Sequence, residues 1–230
     1  MKRRYKLLLI ILIGIVFTIV INSFRVVSKE SLTSFGDGFS IGMTPYNVAG
    51  VSFNDYLKEK LENSNNLDSY NSDFSYSYQS IRELNDHLIN NDLGEKIKKP
   101  IKQIIAKSSI LTLSIGMDEF ASKSLGEEIT LNVIDTYISE INKFLSSIRE
   151  FYDKDIVVIG LYPANKFTQK DAVDVNYKLK KLCGKYDAVF LDIIALSLNK
   201  DNFLEENSYY MNYLAHKEIA KNIFLYIKYK

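Results

Sequence analysis

Two apolar stretches of the 230-residue chain decide its fold class: ILTLSI at residues 110–115 and DIVVIGL at residues 155–161. Each is a short run of aliphatic side chains next to a glycine, which is typical of a strand buried on both faces. Residues 132–152 lie between them and carry apolar side chains at helical spacing, so they predict a long amphipathic helix. A third buried strand is predicted at residues 188–193. Strands that alternate with amphipathic helices predict a parallel sheet with helices on both faces.

The same pattern extends toward both ends of the chain. We expect a strand at residues 34–41 that runs into a glycine-rich turn. Residues 63–71 are polar and carry no element prediction. Further helices are expected at residues 53–62, 80–89, 173–183 and 215–226. The sequence therefore predicts one α/β domain, residues 29–230, built as a three-layer α/β/α sandwich.

Residues 1–28 are expected to anchor this domain in a membrane. Four basic residues lie within the first six positions, and the run from Leu7 to Phe24 has no charged side chain. That run is long enough to cross a bilayer once. The positive-inside rule then places the N-terminus in the cytoplasm and the domain outside. A cleaved signal peptide is the alternative, although no well-formed cleavage site and no lipoprotein cysteine follow the run.

Composition excludes several classes of protein. The 29 basic and 28 acidic residues are mixed along the chain, and no basic stripe is present that would bind nucleic acid. Cys183 is the single cysteine, so an internal disulfide is impossible. No group of cysteines and histidines has the spacing of a metal site, and we expect neither a metal nor another cofactor.

In a parallel sheet, ligands bind at the carboxyl ends of the strands. Four predicted turns are expected to meet there, at residues 36–40, 116–119, 163–165 and 207–212. We take the side chains of these turns as the candidate binding crevice.

These turns resemble, in order and spacing, the sequence blocks of SGNH/GDSL-type hydrolases over residues 33–227. SFGDGFS at residues 34–40 is similar to the block in which a strand ends in Gly-Asp-Ser, and SIGMDE at residues 114–119 is similar to the block Gly-x-Asn-Asp. IVVIGLYP at residues 156–163 and the segment 206–220 resemble the later blocks. The resemblance implies a flavodoxin-like α/β/α sandwich and, usually, ester or acyl hydrolysis.

The resemblance also places a degenerate residue at each catalytic position. Hydrolysis on this scaffold needs a nucleophile, a histidine base, a carboxylate that orients the base, and donors for the oxyanion. Gly38 stands at the nucleophile position, Tyr210 at the base position and Asn207 at the carboxylate position. Asp118 replaces the oxyanion asparagine and offers acceptors instead of donors. Tyr76 aligns with the glycine whose amide would be a further donor.

Other side chains near these turns allow alternatives. Ser40 could act as a relocated nucleophile, although a serine at such a place more commonly hydrogen-bonds to the backbone. His216 is expected to pack or hydrogen-bond on the closing helix. His87, beside Asp86, is expected to be a solvated surface histidine.

The acidic side chains of the turns suggest two hypotheses. Asp37, Asp118 and Glu119 could together bind a divalent cation. Alternatively, and this is the interpretation we favour, the Asp37 carboxylate accepts backbone amides in its tight turn. The aromatic residues at positions 70, 74, 76 and 78 fit either a ligand-stacking surface or a half-buried strand. The crevice candidates are thus Asp37, Ser40, Tyr76, Gly116, Asp118, Glu119, Tyr210 and Asn212.

From these residues we expect a single-pass protein on the outer face of the cell membrane. It would have an SGNH/GDSL-type domain that is catalytically inactive and binds a glycan, acyl-ester or protein ligand of the cell envelope. The alternative is an active esterase on envelope acyl esters that uses a nucleophile such as Ser40. A third hypothesis is a purely structural partner whose crevice is packed shut by Tyr76 and Tyr210.

Overall fold

The computed structural model describes residues 29–126, 129–205 and 208–230. The described residues form a five-stranded sheet in the order β2-β1-β3-β4-β5, with every neighbouring pair parallel. The strands are β1 Glu30–Gly36, β2 Leu67–Ser75, β3 Ile110–Ser114, β4 Asp155–Ile159 and β5 Val189–Leu191. This strand order is that of flavodoxin-like folds.

Helices cover both faces of the sheet. The helices are α1 Phe53–Asn63, α2 Ile81–Asn90, α3 Ile101–Lys107, α4 Met117–Gly126, α5 Leu131–Arg149, α6 Gln169–Lys185, α7 Ile194–Ser197 and α8 Tyr213–Tyr229. Helices α1 and α8 pack against each other, whereas α2, α5 and α6 contact one another in series. Right-handed crossovers between parallel strands place these two groups on opposite faces. The predicted three-layer α/β/α sandwich with a central parallel sheet is therefore confirmed.

The expected membrane segment, residues 1–28, lies outside the described residues. Among the helices of the described part of the chain, none combines the length and hydropathy that crossing a bilayer requires.

The hydrophobic pattern explains why the central elements form where they do. All five residues of β3 and the last four of β4 are buried, as expected for strands in the middle of a doubly covered sheet. Several helices begin at capping boxes, such as the one in which Ser52 and Asp55 bond reciprocally at the start of α1. Thr168 and Asp171 form the same arrangement at the start of α6.

Some elements differ from the sequence prediction. The first strand begins and ends earlier than residues 34–41, and Gly38–Ile41 form a 3-10 turn instead. Strand β2 was predicted only as one of two alternatives for the aromatic residues at positions 70–78, because only Phe74 of its nine residues is buried and the rest are mostly polar. The short helices α3, α4 and α7 were not predicted. The remaining helices and strands are confirmed to within a few residues.

Candidate functional site

The turns after β1 and β3 lie side by side because the two strands are paired up to Gly36 and Ser114. We call residues 36–40 and 116–119 the turn cluster. Asp37 follows β1 directly and is fully buried. Its Oδ2 accepts hydrogen bonds from the amides of Gly116, at 2.8 Å, and Asp118, at 3.0 Å, and its Oδ1 accepts one from Phe39 at 3.1 Å. The interpretation of Asp37 as an acceptor of backbone amides is confirmed.

Burial also changes the acidity of Asp37. Loss of water, followed by the nearby Asp118 carboxylate, raises the pKa of Asp37 from 3.8 to about 8, although three amide donors oppose the shift. Asp37 thus connects the two turns, although burial and the neighbouring Asp118 carboxylate destabilise its ionised form.

Asp118 lies on the other side of the cluster and is 4% exposed. Its Oδ2 accepts two backbone hydrogen bonds, from the amides of Gly38 and Tyr78, both at 2.8 Å. Two converging amides are the arrangement that hydrolases aim at the oxyanion of an acyl-transfer intermediate. In this chain a carboxylate oxygen of the protein itself lies between the two donors.

The second amide that donates to Asp118 differs from the one that the sequence predicted. The amide of Tyr76, which the alignment placed at that position, donates instead to the Gly36 carbonyl at 3.1 Å. Tyr78 has a φ of 61°, in the left-handed region that favours glycine, and this conformation turns its amide toward Asp118. The amide of Tyr78, rather than that of Tyr76, is therefore the second donor to Asp118.

Gly38 leaves space that the Asp118 carboxylate fills. A Cβ atom on Gly38 would lie 2.7 Å and 2.9 Å from the two Asp118 oxygens and 3.1 Å from the Cβ of Met43. A side chain at the nucleophile position and the present position of Asp118 therefore exclude each other.

Ser40 is 1% exposed, and its Oγ donates to the Asp37 carbonyl at 2.7 Å. Its own carbonyl accepts from the Asn54 amide nitrogen. Within the described residues no histidine contacts the Ser40 hydroxyl. Its proton is bonded to the backbone rather than to a general base.

The base position is occupied by a tyrosine pair. The rings of Tyr209 and Tyr210 stack with centroids 4.2 Å apart, and the Tyr209 hydroxyl donates to that of Tyr210 at 2.8 Å. Burial, followed by this hydrogen bond, raises the pKa of Tyr209 above its ordinary value. Tyr162 ties the segment to the sheet by donating to the Tyr209 carbonyl at 2.7 Å. Asn207, the predicted carboxylate position, lies outside the described residues.

Two other crevice candidates have structural partners. Gly116 has a φ of 111°, and a Cβ there would lie 2.8 Å from the Tyr137 ring. Asn212 caps α8 by accepting from the Leu214 amide, and its side-chain nitrogen donates to two carbonyls of the preceding loop. The hydrogen-bonding atoms of Asn212 are therefore engaged within the protein.

Glu119 points away from the other two acidic residues. It lines a cavity of about 240 Å³ between α2 and α5, together with Arg82 and Glu140. Among the described residues, no three His, Cys, Asp or Glu side chains are grouped so that they could hold one metal ion. The Asp37 and Asp118 carboxylates are instead occupied by backbone amides.

The two histidines have different surroundings. His216 is 3% exposed, accepts from the Phe53 amide through Nδ1 at 3.1 Å, and lies against the rings of Phe39 and Phe53. Burial lowers the pKa of His216 to about 4. The prediction that His216 packs and hydrogen-bonds is confirmed.

His87 is not the solvated surface histidine that the sequence suggested. Its Nδ1 contacts Asp92 Oδ2 at 2.7 Å, and its Nε2 contacts the Tyr76 hydroxyl at 3.0 Å. The neighbour expected from the sequence was Asp86. Asp92 contacts it instead because Asn91 ends α2 in a left-handed conformation that turns the chain back.

Comparison with known proteins gives the fold but no close relative. No protein-family model and no curated protein matches the chain. Among solved structures, Axe2, an acetylxylan esterase from Geobacillus stearothermophilus, is similar with a TM-score of 0.66, at 13% identity over 88% of this chain and 96% of that one.

Two further structures agree with it. A lipase from a goat rumen metagenome has a TM-score of 0.66 at 16% identity, covering 85% of this chain and 96% of its own. A member of the lipolytic G-D-S-L family from Veillonella parvula has a TM-score of 0.59 at 12% identity, covering 87% and 99%. The chain therefore has the fold of the SGNH/GDSL hydrolases.

Proposed function

We propose that this chain is a membrane-anchored protein on the outer face of the cell membrane that does not hydrolyse esters and acts by binding a ligand in the cell envelope. The observation that carries the proposal is the Asp118 carboxylate, which accepts from the amides of Gly38 and Tyr78. An acyl-transfer intermediate would need the same two donors for its oxyanion.

The charge of Asp118 opposes hydrolysis in two ways. An oxyanion that entered between the amides would have to displace a carboxylate that already has their hydrogen bonds. It would also meet the negative charge of that carboxylate in a buried place, where like charges repel most strongly. Gly38 supplies no hydroxyl, and the Ser40 hydroxyl is bonded to the Asp37 carbonyl.

The membrane placement rests on the sequence of the N-terminal segment. Basic residues precede an uncharged apolar run of bilayer length, which favours an uncleaved anchor with the domain outside. The first strand of the domain, β1, begins at Glu30, soon after that segment in the sequence.

The class of ligand is inferred by analogy. Similar structures carry names that refer to acetylated xylooligosaccharides and to lipids. A glycan, an acyl ester or a protein of the cell envelope is therefore the ligand we propose, and the mixed surface charge disfavours nucleic acid.

Hydrolysis of short-chain aryl esters tests the absence of activity. The full-length chain and its Ser40→Ala variant are each compared with their own heat-inactivated samples. Ser64→Ala is the matched control, because the Ser64 hydroxyl also donates to a carbonyl three residues earlier, at 3.0 Å, but far from the turn cluster. We expect no rate above background in any sample.

Two results would overturn the inactive assignment. Activity lost in Ser40→Ala but kept in Ser64→Ala would establish Ser40 as a relocated nucleophile. Activity that persists in both variants, and vanishes on heating, would mean that a different residue performs the reaction.

Labelling of an introduced thiol tests the topology. Cys183 is 1% exposed and its thiol pKa is raised to about 12 by burial, so the native thiol is a poor target for maleimides. We expect Leu131→Cys, at a side chain that is 71% exposed, to react with a membrane-impermeant maleimide in intact cells. Lys2→Cys should react only after the membrane is permeabilised. The opposite pattern, or labelling of both only after lysis, would contradict the topology.

A further inference from the structure

A second recess lies beside the edge strand β2, away from the Asp118 carboxylate. It has a volume of about 700 Å³, within the range of roughly 300–1,000 Å³ that is usual for small-molecule sites. We call it the edge groove. Its lining comes from β2 and the loop after it, from α2, and from residues 92–96. The loop that carries Tyr76 and Tyr78 separates it from the turn cluster.

His87 is the centre of the polar lining. Asp92 is a hydrogen-bond acceptor when ionised, so the His87 Nδ1 at 2.7 Å is the donor of that pair. In the neutral imidazole the proton is then on Nδ1, and Nε2 is left as an acceptor that faces the Tyr76 hydroxyl at 3.0 Å. The carboxylate fixes the ring orientation, and Nε2 is presented to a hydroxyl group.

Tyr76 lies at the surface of the groove. Its side chain is 38% exposed, and its ring meets the His87 ring edge-on, with centroids 6.3 Å apart. The Tyr76 hydroxyl contacts His87 Nε2 and, with the Gln79 amide in the orientation that satisfies its neighbours, also lies 3.3 Å from the buried Gln79 oxygen. A ligand hydroxyl would replace it at Nε2, and the freed aromatic face would pack on the ligand.

Asp73 gives an independent sign of a missing partner. Its Oδ2 accepts from the amides of Lys96 and Ile97, at 3.2 Å and 3.0 Å, but its Oδ1 is buried and has no hydrogen-bond partner. A buried acceptor without a donor is uncommon and costs about 1–3 kcal/mol. Asp73 lines the same groove as His87, and a shift of its carboxylate toward the groove would offer Oδ1 to a donor-rich ligand as a second acceptor.

The lining of the groove carries more negative than positive charge. It has three acidic side chains, Asp73, Asp92 and Glu95, against the basic side chain of Lys96, and His87 counts as neutral because its Nε2 is an acceptor. This charge disfavours an anionic ligand, and hydrogen-bond acceptors beside a half-exposed aromatic ring favour a molecule with many hydroxyl groups.

We propose that the edge groove binds a neutral oligosaccharide, with one sugar hydroxyl on His87 Nε2 in place of the Tyr76 phenol and the sugar face on the Tyr76 ring. This goes beyond the proposed function, because it concerns a different surface and holds whether or not the chain hydrolyses esters.

Nuclear magnetic resonance of the histidines tests the proposal. The chain has only two histidines, and His216 is buried between aromatic rings, so its imidazole nitrogens are an internal reference for the fold. The full-length chain, in a detergent without a sugar headgroup, is titrated with chitotetraose and cellotetraose up to about 10 mM, ten times a weak millimolar Kd. We expect saturable shifts of the His87 nitrogen resonances and none of the His216 resonances.

Calorimetry of variants tests the roles of the residues. We expect His87→Gln to weaken binding at least tenfold and Asp92→Asn to weaken it several-fold. Tyr76→Phe should bind as tightly as the native chain or more tightly, because it keeps the ring but removes the competing hydroxyl. Asp86→Asn is the matched control for Asp92→Asn. It makes the same charge change at an exposed side chain of α2 and should leave binding unchanged.

Several outcomes would overturn the proposal. These are the absence of a saturable His87 shift with either oligosaccharide, equal shifts at His216, and unweakened binding by His87→Gln. A variant whose His216 resonances move before any ligand is added has changed its fold. In that case the His87 shifts in the titration of the native chain decide whether the groove binds the oligosaccharide. Ester hydrolysis is not measured here, so failure at this groove is separate from failure of the inactive assignment.

Discussion

The turn cluster and the edge groove differ in how completely their polar atoms are satisfied. In the turn cluster, Asp37 and Asp118 are both under 5% exposed, and together they accept five backbone amides. In the edge groove, the His87 and Asp92 side chains are 29% and 41% exposed, and Asp73 has an oxygen without a partner. The first region is held closed by its own carboxylates, whereas the second has capacity for an added molecule.

If the edge groove binds a ligand as proposed, binding in this chain takes place away from the turn cluster. Groups that are saturated by the protein gain little from a ligand, because a ligand must first displace existing hydrogen bonds. At the edge groove that cost is smaller, because the proposed ligand displaces one half-exposed hydrogen bond, from the Tyr76 hydroxyl to His87. Variants of the turn cluster and of the edge groove test this difference between the two regions.

The largest effect is expected from Asp37→Ala. It removes the acceptor of three amides that are buried in the two turns, and each unsatisfied donor costs about 1–3 kcal/mol. We expect a loss of about 3 kcal/mol or more in the free energy of unfolding, measured by urea denaturation. Asp68→Ala, at an exposed side chain, should change it by less than about 0.5 kcal/mol. Equal effects of the two variants would contradict the role of Asp37.

The next effect is expected from Gly38→Ala. The added methyl would lie 2.7 Å from an Asp118 oxygen, so the carboxylate must move and lose its two amides. We expect destabilisation of about 1–3 kcal/mol. The control, Gly184→Ala in α6, has no atom within 4 Å of its new Cβ and should stabilise by about 0.5–1 kcal/mol. We expect the midpoint of thermal unfolding to fall in Gly38→Ala and to rise in Gly184→Ala. A rise in Gly38→Ala would disprove the crowding between the new methyl group and the Asp118 carboxylate.

A smaller effect is expected in the pH dependence of the free energy of unfolding. Because the pKa of Asp37 is raised from 3.8 to about 8, the folded state binds this proton more tightly than the unfolded state does. Its stabilising contribution is complete below about pH 4 and is lost as pH rises toward 8. Asp118→Asn removes a charge that raises this pKa, so the variant should gain stability relative to the native chain between pH 5 and pH 8. Unfolding at several pH values measures the difference, and a constant difference would contradict the coupling.

The smallest effect is expected from Tyr76→Phe. It deletes one hydroxyl from a half-exposed hydrogen bond to His87, which should cost at most about 1 kcal/mol in the free energy of unfolding. Tyr177→Phe, at a ring that is 59% exposed, is the matched control and should cost less. A loss of several kcal/mol in Tyr76→Phe would mean that the phenol is part of the core and cannot give way to a ligand.

Much of the fold could be predicted, because the central strands are short apolar runs between amphipathic helices. Residues 110–115 and 155–161 could be predicted directly, since burial on both faces leaves no charged residue in the strand interior. Strand β2 lies at the sheet edge and is polar on most of its length, so the hydrophobic pattern did not distinguish it from a ligand-stacking surface.

The candidate site could be predicted in its location but only partly in its contacts. The carboxyl ends of adjacent parallel strands meet at one edge, which brought Asp37 and Asp118 together in the sequence interpretation. The direction of the Asp118 carboxylate depends on a rotamer and on the Tyr78 loop, and neither leaves a sequence signal. The pairing of His87 with Asp92 depends on the left-handed turn at Asn91, for which asparagine after a helix was the available signal.

If residues 1–28 anchor the domain as proposed, the start of β1 at Glu30 limits the distance between the domain and the membrane. With the apolar run ending at Phe24, residues 25–29 would span at most about 18 Å even when fully extended. The amino ends of the strands would then lie near the bilayer, and the carboxyl ends about 23 Å further along the seven residues of β1. Both the turn cluster and the Tyr76 loop would then face away from the membrane, toward other molecules of the cell envelope.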